Sequence, residues 1–136
     1  MNDRAFIDTN IFIYLYSAKE PEKREICIRE LDKYIRVASF QVLNEVANVL
    51  RKKKYDLNIK KIQFHLNNIE TFCLINRIDR NTIDSALKLN GRYGFAYYDC
   101  LMIASALDSG CDILLTEDIN NGQIIENKLK IVNPFI

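Results

Sequence analysis

Ala5-Phe6-Ile7-Asp8-Thr9-Asn10-Ile11-Phe12-Ile13-Tyr14-Leu15-Tyr16 is the stretch on which the fold turns. Three apolar residues suit a short buried strand, Asp8-Thr9-Asn10 is turn and cap chemistry, and Ile11 to Tyr16 suits a short helix opened by an Asx or Thr cap. Strand, acidic turn and helix recur outward from here. Pro21 suits the first turn of a second helix ending near Tyr34, and Val37-Ala38 is a minimal strand. Ser39 is an N-cap for a helix from Phe40 to about Lys53, and Asn58 starts another through Ile62, Leu66 and Ile69. Thr71 to Ile75 reads as a buried strand. Asn81 with Asp84 resembles a capping box for a helix ending near Asn90-Gly91. From Asp99 to Leu107 the chain is apolar nearly all round, which predicts a central buried helix stopped at Ser109-Gly110. Ile113-Leu114-Leu115 reads as a core strand, Glu117 to Gly122 as a polar loop, and Leu129 to Val132 as a last strand. Strands alternating with helices predict an α/β fold, a mostly parallel sheet flanked by helices.

The chain has 136 residues, 49% of them hydrophobic and 27% charged, so one domain over residues 1–136 is expected and a disordered or low-complexity chain is excluded. A net charge of +1 gives no global field toward nucleic acid or membrane, so any polyanion site must be local. The longest apolar run, Ile11 to Tyr16, is too short to span a bilayer, and no secretory signal is visible, so a cytoplasmic protein is expected. Cys27, Cys73, Cys100 and Cys111 form no C-x-x-C pair, and with His65 the single histidine they read as buried thiols rather than a zinc site.

Four carboxylates stand out. Asp8 and Asp118 each follow an apolar strand and so lie where ligands bind in parallel α/β folds, outside the carboxyl ends of the strands. Taken alone, each suits a turn or helix cap better. Glu45 shares a helix face with Val42, Val46 and Val49, and Asp99 opens the most apolar helix, where it also complements the helix dipole. Four such charges converging at one end of the sheet would repel one another unless a cation held them. Oxygen-only ligation suits Mg²⁺ or Mn²⁺, and the chemistry such an ion serves is phosphodiester hydrolysis. There is no Walker-type Gly-rich loop.

Phe6-Ile7-Asp8-Thr9-Asn10, Glu45 on the third helix, Tyr98-Asp99 opening a long apolar helix, Leu115-Thr116-Glu117-Asp118 after a late strand, and the ending Ile131-Val132-Asn133-Pro134-Phe135 together resemble the PIN-domain nucleases. The resemblance is greatest to VapC-type toxins of prokaryotic toxin–antitoxin pairs. It implies a Mg²⁺- or Mn²⁺-dependent endoribonuclease that uses metal-activated water and leaves a 5′-phosphate. It matches Asp8, Glu45, Asp99 and Asp118 to the catalytic and metal-binding acids, and Asn10 and Thr116 to the polar residues that orient them. It further implies a homodimer and a small antitoxin partner. Many relatives carry a further acid shortly after the last of the four, where this chain has Asn120 and Asn121.

Arg51-Lys52-Lys53-Lys54 is a candidate basic rim for RNA phosphates and suits a solvated helix end better. Tyr93, Phe95, Tyr97 and Tyr98 suit base stacking, and suit core or dimer packing better. Neither His65 nor Cys100 has the partners of a catalytic group. Two rivals to the nuclease remain: a non-catalytic module of the same fold that binds RNA or protein, and a phospho-acceptor or phosphatase using Asp8 as nucleophile.

Overall fold

The Asp8 carboxylate accepts a hydrogen bond from the Thr9 amide at 2.7 Å, so the chain leaves β1 (Arg4–Ile7) and enters α1 (Thr9–Tyr16) with the acid itself as helix cap. The structure, a computed structural model, describes residues 2–136. There follow α2 (Pro21–Leu31), β2 (Ile35–Ser39), α3 (Phe40–Leu50), a 3₁₀ turn (Lys53–Tyr55), α4 (Ile59–Phe72), β3 (Leu74–Asn76), α5 (Arg80–Tyr93), α6 (Tyr97–Asp108), β4 (Ile113–Leu115), β5 (Ile124–Ile125) and β6 (Leu129–Val132).

The six strands form one sheet in the order β3-β2-β1-β4-β6-β5. All neighbours are parallel except β5, which pairs antiparallel with β6. This is the α/β architecture expected from the alternation of strands and helices. From β1 the chain steps outward through β2 and β3 and then returns to place β4 on the other flank of β1. The order reverses at that point, and the diverging connections leave a crevice outside the carboxyl ends of β1 and β4. Asp8 and Thr116 are the first residues beyond those two ends.

Ala5, Phe6, Ile7, Leu114 and Leu115 are completely buried, as central strands covered on both faces require. In α6 every residue from Cys100 to Ala106 is buried, and α5 packs along it. A helix apolar nearly all round therefore sits inside the molecule as its pattern predicts. No helix among the described residues is long and apolar enough to cross a membrane. All four cysteines are free and buried, and burial pushes Cys27, Cys73 and Cys111 up to about 12, so they are inert thiols.

Several expected boundaries shift. α2 stops at Leu31 and α3 at Leu50, each short of the expected end, and β2 is correspondingly longer than Val37-Ala38. Thr71 and Phe72 belong to α4, not to a strand: the Thr71 hydroxyl donates back to the Asn67 carbonyl, and Phe72 meets Phe12 edge to face. What remains, β3, is an edge strand with Leu74 half exposed rather than a buried one. The capping box of α5 uses Asp79 and Thr82 instead of Asn81 and Asp84, and the helix ends at Gly94, whose φ of 74° is the left-handed conformation glycine adopts freely.

Ser39 caps α3 as expected, its Oγ accepting from the Val42 amide at 3.2 Å in a position with no solvent to replace it. Ser39→Ala should cost about 1 kcal/mol in a urea unfolding experiment. Unchanged stability would mean that the cap does not hold α3 in place.

Candidate active site

Seven residues at and around the carboxyl ends of β1 and β4 form one hydrogen-bonded set. Thr116, fully buried, donates its hydroxyl to Asp8 Oδ2 at 2.7 Å and accepts the Asp118 amide at 3.2 Å, so one residue orients both acids. Asn10, on the first turn of α1, donates to Asp118 Oδ2 at 3.3 Å. The Thr9 hydroxyl reaches across to Glu45 Oε2 on α3 at 2.8 Å, and Gln41, one turn before Glu45, donates to its other oxygen at 3.1 Å. Glu45 stands at the edge of the apolar face of α3, with Val42 and Val49 beside it.

Asp8, Glu45, Asp99 and Asp118 line one cavity of about 330 Å³, together with Thr9, Asn10, Ser39, Gln41 and Ser105. The cavity lining contains no lysine, arginine or histidine, and none of the four acids is in an ion pair among the described residues. Their charges are instead felt as mutual cost. Burial pushes Asp8 up to about 6 against the hydrogen bonds from Thr116 and Thr9, with Asp118 and Glu45 adding repulsion. Asp99 is raised by burial and then by Asp118 and Glu45; Asp118 is raised by loss of solvent around its carboxyl and by Glu117. Among the described residues no three acid, histidine or cysteine groups close in tightly enough to enclose an ion as they stand.

Glu117 itself points the other way. It accepts a hydrogen bond from the Tyr14 hydroxyl and pairs with Lys23 at 3.2 Å, so it is held against α1 and α2 and does not line the cavity. Asn120 and Asn121, where relatives carry a further acid, bind within the loop region, to Gln123 and to the Asn133 amide, and do not line the cavity.

A family model described as the PIN domain matches residues 5–124. The chain belongs to the PIN-domain family. No curated protein matches it in sequence. Among solved structures it is similar to a toxin–antitoxin complex from Klebsiella pneumoniae, with 22% identity over 96% of this chain and 97% of that one and a TM-score of 0.73. It is also similar to VapC20 of Mycobacterium tuberculosis, a toxin that cleaves the sarcin–ricin loop, with 15% identity over 84% and 91% of the two chains and a TM-score of 0.68. VapBC2 of Rickettsia felis, solved on a DNA fragment from its promoter, matches at 20% identity over 96% and 99%, with a TM-score of 0.66. At these identities the likeness is one of fold.

Membership of the PIN family supports a nuclease-type hydrolase, the class that the cavity's acids suit. The other sequence candidates separate. Arg51 closes α3 and donates to Asn48, a residue of the cavity wall, while Lys53 and Lys54 form the exposed 3₁₀ turn beyond it and none of residues 51–54 lines the cavity. Tyr93 and Phe95 stack on each other at 5.7 Å away from the acids, whereas Tyr98 lies at the cavity edge. His65 is buried against Tyr16 at 4.3 Å, far from this set in the fold, and burial and Lys61 lower it toward the neutral form. Sequence reasoning missed Thr9, Gln41 and Ser105 as cavity residues. Gln41 carried a signal, four positions before Glu45 on one helix face.

Proposed function

We propose that this PIN-domain protein is an endoribonuclease dependent on Mg²⁺ or Mn²⁺ and the toxin of a toxin–antitoxin pair, acting as a homodimer restrained by a small antitoxin. The observation that carries the catalytic part is four carboxylates on one cavity with no basic residue among its walls. Such a set calls for a neutralising cation, and three of the four acids are raised above their ordinary range, first by burial and then by neighbouring carboxylates. The donor set fits a hard divalent ion: every polar side chain facing the cavity offers oxygen or amide, and no thiol or imidazole joins them. The toxin assignment draws on what the Klebsiella, Mycobacterium and Rickettsia relatives are described as being.

Asp8, Glu45, Asp99 and Asp118 are the residues that would hold the ion. A bound ion of this type polarises a phosphoryl oxygen and makes water nucleophilic at neutral pH. The chain's own residues do the positioning. Thr116 and the Thr9 amide fix both oxygens of Asp8, and Thr9 and Gln41 fix both oxygens of Glu45, so neither carboxylate is free to rotate away. Asn10 steadies Asp118 at the open mouth. Burial of Asp8 and Thr116 excludes water from the base of the cavity, which strengthens every charge interaction there.

The test is incubation of purified protein with structured and unpaired RNA in Mg²⁺, Mn²⁺ or EDTA. Cleavage in either cation and none in EDTA is expected; no cleavage under any condition overturns the enzymatic reading and favours a non-catalytic module. Thr116→Val, which removes the hydroxyl shared by Asp8 and Asp118, should weaken Mn²⁺ binding by about tenfold. Thr116→Ser should restore it. Equal binding by all three proteins would mean that Thr116 does not position the acids.

A further inference from the structure

A second groove of about 620 Å³ runs beside the acidic cavity and shares Gln41, Ile78, Tyr98 and Leu101 with it as a common wall. Its walls differ in character. Phe40 is 44% exposed and Tyr98 64%, an unusual outlay of aromatic surface on a water-facing wall. The Arg77 guanidinium lies over the Phe40 ring at 5.4 Å and pairs with no carboxylate among the described residues. The amides of Gln41 and Asn44 and the side chains of Ile83 and Tyr97 complete the lining.

From these residues we infer that the groove holds one unpaired nucleotide of an RNA strand, its base stacked on Tyr98 and flanked by Phe40 and its phosphate at Arg77, next to the phosphodiester at the acids. This rests on the nuclease reading above. A polyanion approaching four carboxylates needs a cation nearby, and Arg77 is the single cation among the residues lining either hollow. Aromatic faces beside a guanidinium, with amides able to bond base edges, are the means by which proteins take up splayed-out bases. A base inside a duplex presents no free face to Tyr98, so the groove selects unpaired over paired RNA.

The test measures binding of a labelled single-stranded RNA and of an RNA duplex of equal length, by fluorescence anisotropy in Ca²⁺. Wild type, Tyr98→Ala, Tyr98→Phe and Arg77→Gln are compared, with the sedimentation velocity of each. The single strand should bind more tightly than the duplex. Tyr98→Ala should weaken it about tenfold and Tyr98→Phe by no more than about twofold. Arg77→Gln should weaken binding and flatten its salt dependence. Undiminished binding by both Tyr98→Ala and Arg77→Gln overturns the inference. So does conversion of a dimer to monomers by Tyr98→Ala with RNA affinity per chain unchanged, which assigns the groove to a second copy. RNA cleavage by wild type in Mg²⁺ separates the two levels: cleavage with unaffected variants sinks the nucleotide groove alone, and no cleavage sinks the nuclease reading and the groove with it.

Discussion

Asp99→Asn is expected to lower RNA cleavage roughly 100-fold or more while leaving the protein folded. On the proposed mechanism an ion held by four carboxylates would contribute several kcal/mol to charge stabilisation in the transition state, and each 1.4 kcal/mol is a factor of ten. Asparagine has the same shape as aspartate, so the packing at the start of α6 is preserved. The charge lost at this helix N-terminus costs a few tenths of a kcal/mol to about 1 kcal/mol, and the repulsion from Asp118 and Glu45 that is relieved works in the opposite direction. Cleavage of one RNA by both proteins, with melting curves alongside, measures this. A variant that melts with the wild type and cuts as fast removes Asp99 from the catalytic set.

The second large effect concerns stability, and its sign is opposite to that of most core substitutions. Asp8 has an ordinary value of 3.8 and is raised by burial to about 6 in the folded chain. Well below pH 3.8 the carboxyl is protonated in both states and imposes no penalty. As pH rises, the unfolded chain ionises first and gains on the folded one, and the penalty is complete above about pH 6, where it reaches on the order of 3 kcal/mol. In EDTA at pH 7, Asp8→Asn should therefore raise the unfolding free energy by about 1–3 kcal/mol, with the gain fading toward pH 4. The amide suits the pocket. Its oxygen keeps the bond from the Thr9 amide, and its NH₂ can donate to the Thr116 hydroxyl. Urea unfolding of both proteins at pH 4 and pH 7 is the measurement, and a variant less stable at pH 7 contradicts it. Destabilisation of the free chain at the proposed cation site would be the usual trade of function against stability.

Much of this site is legible in the sequence because its acids occupy positions where carboxylates are expensive or topologically marked. Asp8 and Asp118 follow strands, and a parallel sheet sends everything beyond its strand ends to the same crevice. Glu45 sits among Val42, Val46 and Val49, and Asp99 opens a helix with no other polar face. What the sequence did not disclose depends on tertiary packing. Thr71 and Phe72 have strand preferences, yet Phe72 is held in α4 by its contact with Phe12 and Thr71 by the Asn67 carbonyl. Arg51 to Lys54 are conspicuous as a run, and the fold sets them at the end of α3 and on the exposed turn after it, outside the cavity lining. Arg77, an isolated cation between β3 and α5, has no pattern around it, and only the fold brings it beside Phe40.

The claim that four carboxylates form a divalent-cation site is tested most directly by calorimetric titration of Mn²⁺ into chelator-stripped wild type and Asp99→Asn at neutral pH. The account predicts saturable binding to the wild type, weakening as pH falls below about 6 and Asp8 takes up its proton, and little or none to the variant. Identical binding to both proteins, or none to the wild type, would contradict it.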